Sequence, residues 1–124
     1  MNTLDIKNLK FHYTHKDNVQ KIMKEQKLKA HFGVYAFDNV NDLVTFTYTN
    51  YRIGYTNLYD TRIIAFTTDE KFEEGSDHNK RFYKNARTIV CAKNEVPIKV
   101  KFVVSLEVLF KHIGLPLLGD EVKK

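Results

Sequence analysis

Three residues that can take part in hydrogen bonding, His12, Tyr13 and Thr14, stand consecutively at the end of the segment "KFHYTH". A neutral histidine ring donates a hydrogen bond through one nitrogen and accepts one through the other, and a threonine hydroxyl does both. Thr14 also precedes Asp17 by three residues, the spacing of a capping box at a helix start. The segment is therefore typical of a polar binding site at a strand end, or of a capped strand-to-helix junction without a ligand.

No metal or phosphate motif accompanies these residues. His12, His15 and His31 are too loosely placed to predict a metal site. The sequence has no phosphate-binding loop, no Gly-x-Gly-x-x-Gly and no paired cysteines for zinc. Cys91 is the single cysteine, which excludes an intramolecular disulfide, and the apolar run "TIVCA" around it predicts a buried, inert thiol. We therefore expect no bound metal.

Residue patterns predict the elements that position this stretch. Residues 9–14 predict a strand, and the helix that follows should end near residues 26–28. Its expected apolar face consists of Val19, Ile22 and Met23. Residues 32–37 predict a second strand, in which Gly33 permits a bend or a close backbone approach. Asp38 is then a plausible cap for a second helix. That helix has a stripe of Val40, Leu43, Val44 and Thr47, and an irregular stretch with Tyr48, Tyr51 and Tyr55 follows.

The second half of the chain is predicted to be mostly β-structure. Strands are expected at residues 61–68, 86–92 and 98–104, with an acidic loop at 69–79. Ser105 can cap a last helix, "LEVLFKHI", which Gly114 and Pro116 should stop. Residues 119–124 are expected to be a frayed tail. The predicted fold class is α+β, with about five strands.

Composition limits the possible classes of protein. The chain has 124 residues, of which 43% are hydrophobic, and this predicts a single domain over residues 1–124. Its net charge of +5 indicates either a solvated basic surface or attraction to a polyanion. No signal peptide or membrane-spanning segment is evident, so we expect no membrane association and a cytoplasmic location, in the host or in a target cell. A toxin domain cut from a longer secreted protein would have the same features.

The segment "FHYTHKDNVQKIMKEQKLKA", followed by "GVYAFDNVNDLVTF", resembles the front half of the ADP-ribosyltransferase superfamily, in its diphtheria-toxin-like branch. Small bacterial and phage members have a strand ending in His-Tyr-Thr or His-x-Thr, then a helix, a Gly-Val-Tyr-like strand and another helix. The resemblance is close over residues 9–50 and loose over residues 61–104. It implies a split antiparallel β-sheet core, with two helices in the N-terminal half and a short C-terminal helix.

The resemblance also implies roles for particular residues. His12 would hydrogen-bond a ribose hydroxyl of NAD, with Tyr13 and Thr14 beside it in the cofactor site. Gly33 would let the backbone approach NAD, and Tyr35 would pack against the nicotinamide as a second catalytic residue. A further aromatic side chain would complete the stacking, and the two candidates are Tyr48 and Tyr51.

The catalytic glutamate of the family has no counterpart in this sequence. Its position falls near Thr88, which is not acidic, and Glu95 lies seven residues later in a turn. The pair Glu73 and Glu74 lies before the strand, as does Asp77. We expect Asp77 to supply the catalytic acid.

The resemblance implies a mono-ADP-ribosyltransferase that takes NAD as its cofactor, modifies a protein or a nucleic acid and releases nicotinamide. It further implies toxin-type partners, either a host target or an antitoxin or immunity protein. Two alternatives stay open. One is a non-catalytic binding module on the same fold, such as a phage or mobile-element protein that blocks a host factor. The other is an enzyme like the RNA 2'-phosphotransferases, in which Arg62, Arg81 or Arg87 would hold a phosphate.

Overall fold

The computed structural model describes residues 9–30, 33–74 and 88–117. These residues form eight β-strands, a 3-10 turn (Lys16–Asn18) and three α-helices. The strands are β1 (Lys10–His15), β2 (Lys27–Lys29), β3 (Val34–Ala36), β4 (Thr61–Thr67), β5 (Glu73–Glu74), β6 (Ile89–Cys91), β7 (Glu95–Pro97) and β8 (Lys99–Ser105). The helices are α1 (Val19–Glu25), α2 (Val40–Arg52) and α3 (Leu106–Ile113).

The apolar segment "TRIIAFT" forms β4, the middle strand of an antiparallel sheet with the order β1-β4-β8. Successive side chains of a strand point to opposite faces of its sheet. Ile63 and Ala65 therefore face one side and Ile64 and Phe66 the other, and all four are buried. Because both faces of β4 are apolar, both must be covered by other elements.

Helices α2 and α3 cover one face of this central sheet. Two smaller sheets cover the other face, and α1 lies on that side, where its Ile22 packs against the core. On the helical side, Leu43 of α2 and Phe110 of α3 belong to the same core as Ile63. On the opposite side, Leu28 of β2 and Val34 of β3 belong to a second core. The smaller sheets are the pair β2-β7 and a sheet with the order β3-β6-β5, and their strand pairs are antiparallel.

The register between β1 and β4 determines which face each residue of β1 occupies. Tyr13 lies opposite Ile63, and His12 lies opposite Ile64. Directly opposite residues of an antiparallel pair share a face. Tyr13 is therefore on the helical side, whereas His12 is on the side of the smaller sheets. Thr14 follows His12 by two residues and shares its face.

The expected fold class is confirmed at the level of a small α+β structure built from antiparallel strands and helices. The strands predicted at residues 9–14 and 61–68 correspond to β1 and β4. The last helix begins at the predicted cap, because Ser105 Oγ accepts a hydrogen bond from the amide of Val108 at 3.1 Å. It ends at Gly114, which has a left-handed φ of 90°.

Two predicted caps are wrong by one residue. Asn39, rather than Asp38, caps α2, and its side-chain oxygen accepts the amide three residues later at 2.8 Å. His15, rather than Thr14, caps the 3-10 turn, because its Nδ1 accepts the amide of Asp17 at 3.1 Å. In both cases the side chain of the predicted cap makes a different hydrogen bond. Asp38 accepts one from the side chain of Asn39, and Thr14 accepts one from the side chain of Asn18.

The second helix is longer than predicted, and three short strands are not predicted by the sequence. α2 continues to Arg52, so Tyr48 and Tyr51 are helical rather than irregular. Two of these strands are β2 and β7, which pair with each other. The third is β5, which lies within the predicted acidic loop at residues 69–79 and pairs with β6. Among the described residues, no helix is long and apolar enough to cross a membrane.

Candidate functional site

A cavity of about 220 Å³ opens on the His12 side of β1, between that strand, α1 and β2. We call it the His12 pocket. It is lined by His12, Thr14, Asn18, Lys21, Ile22, Glu25, Lys27, Leu28 and Lys29. The sequence spacing of these residues explains why they line one cavity. Residues 12 and 14 are two apart in a strand and therefore share a face, and residues 18, 21, 22 and 25 lie along one face of a helix.

The face of α1 that borders the pocket differs from the predicted apolar face of Val19, Ile22 and Met23. It carries Lys21 and Glu25 beside Ile22 and is therefore more polar. Ile22 belongs to both, but Met23 is 45% exposed and contributes to neither core. No residue of α1 itself is buried. Ile22 is the residue of α1 that packs against the second core, and the helix otherwise forms a wall of the pocket.

The ring of His12 is held in a defined tautomer. Its Nδ1 lies 2.9 Å from the backbone carbonyl oxygen of Tyr35. A carbonyl can only accept, so Nδ1 carries the proton and donates, and the neutral ring keeps Nε2 as an acceptor. Burial lowers the pKa of His12 below its ordinary value of 6.5, against the smaller opposing effect of the bond to Tyr35. The ring that faces the pocket is therefore neutral near pH 7.

The lowered pKa predicts a pH-dependent stability. Near pH 6.5 and below, the unfolded chain takes up a proton at His12 more readily than the folded one, so the free energy of unfolding falls as the pH falls. Urea unfolding of wild type and His12→Gln between pH 8 and pH 5 checks this. We expect a steeper loss for wild type. Equal slopes for the two proteins would contradict it, since the two chains differ only at residue 12.

Thr14 faces the same pocket and keeps a proton to donate. Its Oγ1 accepts a hydrogen bond from the side-chain amide of Asn18 at 3.0 Å. A hydroxyl that accepts one bond can still donate its own hydrogen to a ligand. His12 and Thr14 together therefore offer one acceptor and one donor on a single strand face.

The pocket carries more positive than negative charge. Lys27 pairs with Glu95 at 3.1 Å, and Lys29 pairs with Glu25 at 3.3 Å. The hydrogen bond from Lys27 lowers the pKa of Glu95. Lys21 makes no ion pair within the part of the chain that the structure describes. Its ammonium group is available to an anionic ligand.

Gln26 fixes the junction between the two pocket walls, α1 and β2. Its φ of 52° is left-handed, which is unusual for a residue other than glycine. Its backbone amide donates to Ile22 and its carbonyl accepts from Ile98. Its side chain donates to the carbonyl of Met23 at 2.7 Å and accepts the amide of Val100 at 3.0 Å. The end of α1 is thereby attached to the start of β8.

We expect Gln26→Ala to lower the free energy of unfolding by about 2 kcal/mol, because each of two side-chain hydrogen bonds contributes about 1 kcal/mol. Chemical denaturation measures the change. Gln20→Ala is the matched control, since Gln20 is exposed on the same helix. Equal stabilities of the two variants would show that the side chain of Gln26 does not hold the junction.

Gly33 directly precedes β3, and Tyr35 lies within that strand. Gly33 has a φ of +94°, and a Cβ there would lie 3.0 Å from the carbonyl oxygen of Cys91. The close approach that the sequence predicts is therefore to β6. Tyr35 is 39% exposed and contributes its carbonyl, rather than its ring, to the environment of His12. Its ring lies on the face opposite Val34 and Ala36.

Three of the predicted cofactor-binding residues lie on the helical side of the central sheet. Tyr13 packs near Phe46, with ring centroids 5.7 Å apart. Tyr48 and Tyr51 pack against Phe110 of α3, at centroid distances of 5.2 and 5.7 Å. The structure therefore does not bring these tyrosines to the His12 pocket. The reason is topological, because α2 covers the face of β1 and β4 that His12 does not occupy.

The predicted carboxylates do not line the pocket in the described residues. Asp77 lies outside the described residues, as do His31, Arg81 and Arg87. Thr88 is half-buried just before β6. Glu95 is engaged by Lys27. Arg62 donates to the carbonyls of Tyr59 and Thr61 and is not part of the pocket.

Two glutamates, Glu25 and Glu73, lie near residues of the predicted site. Glu25 lines the pocket itself, at a helical spacing of three from Ile22. Glu73 lies opposite Val90, which in turn lies opposite Tyr35. Glu73 and Tyr35 consequently share the outer face of the β3-β6-β5 sheet, two strands apart, or about 9.6 Å. The i, i+3, i+4, i+7 pattern of α1 was a usable sequence signal for Glu25, whereas strand pairing alone reveals Glu73.

No group of three or more histidine, cysteine or acidic side chains that could hold a metal occurs among the residues that the structure describes. Cys91 is buried in the second core. Comparisons of the chain with protein-family models, with curated proteins and with solved structures found no match.

Proposed function

We propose that the His12 pocket binds part of NAD, and that the protein transfers ADP-ribose from NAD to a macromolecular acceptor with release of nicotinamide. The observation that carries the proposal is the hydrogen bond from His12 Nδ1 to the carbonyl of Tyr35, 2.9 Å long. It leaves Nε2 as an acceptor for a ribose hydroxyl. The sequence resemblance supplies the reaction, and the pocket supplies groups with matching chemistry.

The remaining polar groups of the pocket fit the other parts of the cofactor. Thr14 can donate to a second sugar oxygen, and the ammonium of Lys21 can neutralise a pyrophosphate oxygen. The cavity of about 220 Å³ is smaller than the roughly 300–1,000 Å³ of most small-molecule sites. One part of NAD would therefore lie inside it and the rest outside.

An ADP-ribosyltransferase-like fold is part of this proposal. In the order β1, α1, β3, α2, His12 lies within the first of these strands and Tyr35 lies on the strand before α2. This is the order that the sequence resemblance implies. The short β2 between α1 and β3 completes the wall of the pocket.

The proposed reaction breaks the bond between the ribose C1′ and the nicotinamide nitrogen, and nicotinamide leaves with the bonding electron pair. An acceptor nucleophile forms the new bond to C1′ and gives up its proton. A carboxylate beside the ribose would stabilise the positive charge and take that proton. Glu25 is a carboxylate that lines the pocket, and it forms an ion pair with Lys29 at an N···O distance of 3.3 Å.

A second candidate is a binding module that holds a nucleotide or a protein partner without turnover. The observation in its favour is that Thr88 stands where the family has its glutamate, while Glu25 is already engaged by Lys29. Such a module would bind its partner at a fixed ratio and consume no NAD.

The deciding experiment combines a thermal-shift titration of the purified protein with NAD and an assay of nicotinamide release. A ligand at 100 times its dissociation constant should add about 2.7 kcal/mol to the stability. A shift together with nicotinamide release in the presence of cell extract supports the transferase. A shift without release supports the binding module, and no shift at millimolar NAD rejects both forms of the NAD site.

A further inference from the structure

A second cavity, of about 630 Å³, lies at the opposite end of β1 from Thr14. We call it the lysine pocket, after Lys10, Lys99 and Lys101, which line it together with Thr67 and Thr68 and with two acidic residues. Strand order brings the lysines together. Lys10 and Val100 both lie opposite Phe66 of β4, on its two sides, so the first residues of β1 and β8 flank the same strand end.

A β-bulge contributes to this arrangement. The register of β4 with β8 passes from Ala65–Phe102 to Phe66–Val100, so Lys101 has no partner residue on β4. Bulges at sheet edges redirect side chains and interrupt pairing. Lys99 and Lys101 are both exposed and border the same cavity.

The three lysines are not neutralised within the described residues. Five other lysines of that part of the chain form ion pairs with acidic residues: Lys16, Lys27, Lys29, Lys93 and Lys111. None of the lysines of the lysine pocket does so among the described residues. Lys10 instead lies with its Nζ 5.9 Å from the ring centroid of Phe72.

The acidic residues that line the lysine pocket are Asp69 and Glu70, which are adjacent in the sequence. Glu70 is engaged by Lys93 at 2.8 Å, which raises the pKa of Lys93. Thr68 accepts the amide of Glu70 and donates to the carbonyl of Pro97, which fixes this turn. Because Glu70 is engaged by Lys93, an anionic ligand in this pocket would meet three lysines and one carboxylate, that of Asp69, which forms no ion pair among the described residues.

We propose that the lysine pocket binds the phosphate backbone of a single-stranded nucleic acid. Ammonium groups spaced around an open groove, with an aromatic ring beneath one of them, suit a flexible strand of phosphates and bases. Lys10 also follows the same strand face as His12, two residues or about 7 Å away. If the proposed function holds, on which this last step rests, the bound strand is placed beside the NAD site as its acceptor.

The test is fluorescence anisotropy with a labelled single-stranded oligonucleotide of mixed sequence, over a range of salt concentrations. The test variant changes Lys10, Lys99 and Lys101 to Gln. The control variant changes Lys16, Lys24 and Lys111 to Gln, three exposed lysines outside both pockets, and so removes the same charge. We expect the test variant to bind at least about tenfold more weakly than the control at low salt.

The salt dependence gives a second readout. Each phosphate contact on a single strand contributes about 0.7 to the slope of log K against log salt, so three lost contacts should make the slope shallower by about 2. Equal losses in the two variants, or no binding of the oligonucleotide by wild type, would overturn the proposal. So would equally tight binding of polyglutamate through the same lysines, which would indicate an acidic peptide as the ligand.

The NAD thermal shift separates this proposal from the proposed function. The test variant should keep the shift of wild type, because none of its three lysines lines the His12 pocket. Oligonucleotide binding that depends on these lysines, in a protein that NAD does not shift, would support the nucleic-acid site and reject the NAD site. A thermal shift with NAD in a protein that does not bind the oligonucleotide would support the NAD site and reject the nucleic-acid site.

Discussion

His12→Ala should abolish the thermal shift produced by NAD and reduce nicotinamide release at least about a hundredfold, while the protein stays folded. The variant removes the Nε2 acceptor that would orient the ribose, and a misplacement of about 1 Å in a reacting group can cost a hundredfold in rate. Its cost to stability should be about 1 kcal/mol, since the ring makes one hydrogen bond, to the carbonyl of Tyr35. Thermal denaturation with and without NAD measures both quantities.

His112→Ala is the matched control for this prediction. His112 is an exposed histidine near the end of α3, and it lines neither the His12 pocket nor the lysine pocket. Its variant should retain the NAD shift of wild type. Unfolding of His12→Ala would instead show that His12 is a structural residue. An unchanged NAD shift in a folded His12→Ala protein would remove His12 from the site.

Local sequence patterns predict well those helices and strands whose defining residues all lie within one short segment of the chain. The strand β4 contains the continuous apolar run of residues 63–66, and α3 is capped by Ser105 at its start and by Gly114 at its end, as predicted. By contrast, β2 and β7 have three residues each and pair across a separation of 68 residues, as the ion pair of Lys27 with Glu95 illustrates. Such short strands are defined by their partner rather than by their own composition.

In the candidate site, too, features that depend on local sequence are predicted, whereas features that depend on distant parts of the chain are not. The shared face of His12 and Thr14 follows from the two-residue period of a strand, and the sequence was sufficient for it. Which face of the sheet α2 would cover is a matter of topology. The tyrosines of α2 therefore pack against Phe110 in the helical core and do not reach His12. The role of Tyr35 also changed in kind, because its backbone carbonyl is the group that holds His12.

Gly33→Ala should destabilise the fold by roughly 2–4 kcal/mol, the largest loss of stability that we expect from a single methyl group in this chain. Its φ of +94° is strained for any residue with a Cβ, at about 1–2 kcal/mol. The new Cβ would also lie 3.0 Å from the carbonyl oxygen of Cys91 and 3.2 Å from Cγ2 of Val90. The carbonyl belongs to the paired β6 backbone, so it cannot move without loosening β3.

The variant Gly54→Ala separates the two causes of the lost stability at Gly33, which are the left-handed φ and the steric contact with β6. Gly54 has a similar φ of +86°, but a Cβ there would meet nothing within 4 Å, so its variant should lose only the part due to φ. Equal losses for the two variants, measured by urea denaturation, would show that the contact with β6 has no energetic role. A larger loss at Gly33 has a consequence for the site as well. β3 carries the Tyr35 carbonyl that fixes the tautomer of His12, so, under the proposed function, a displaced β3 would weaken NAD binding in the molecules that remain folded.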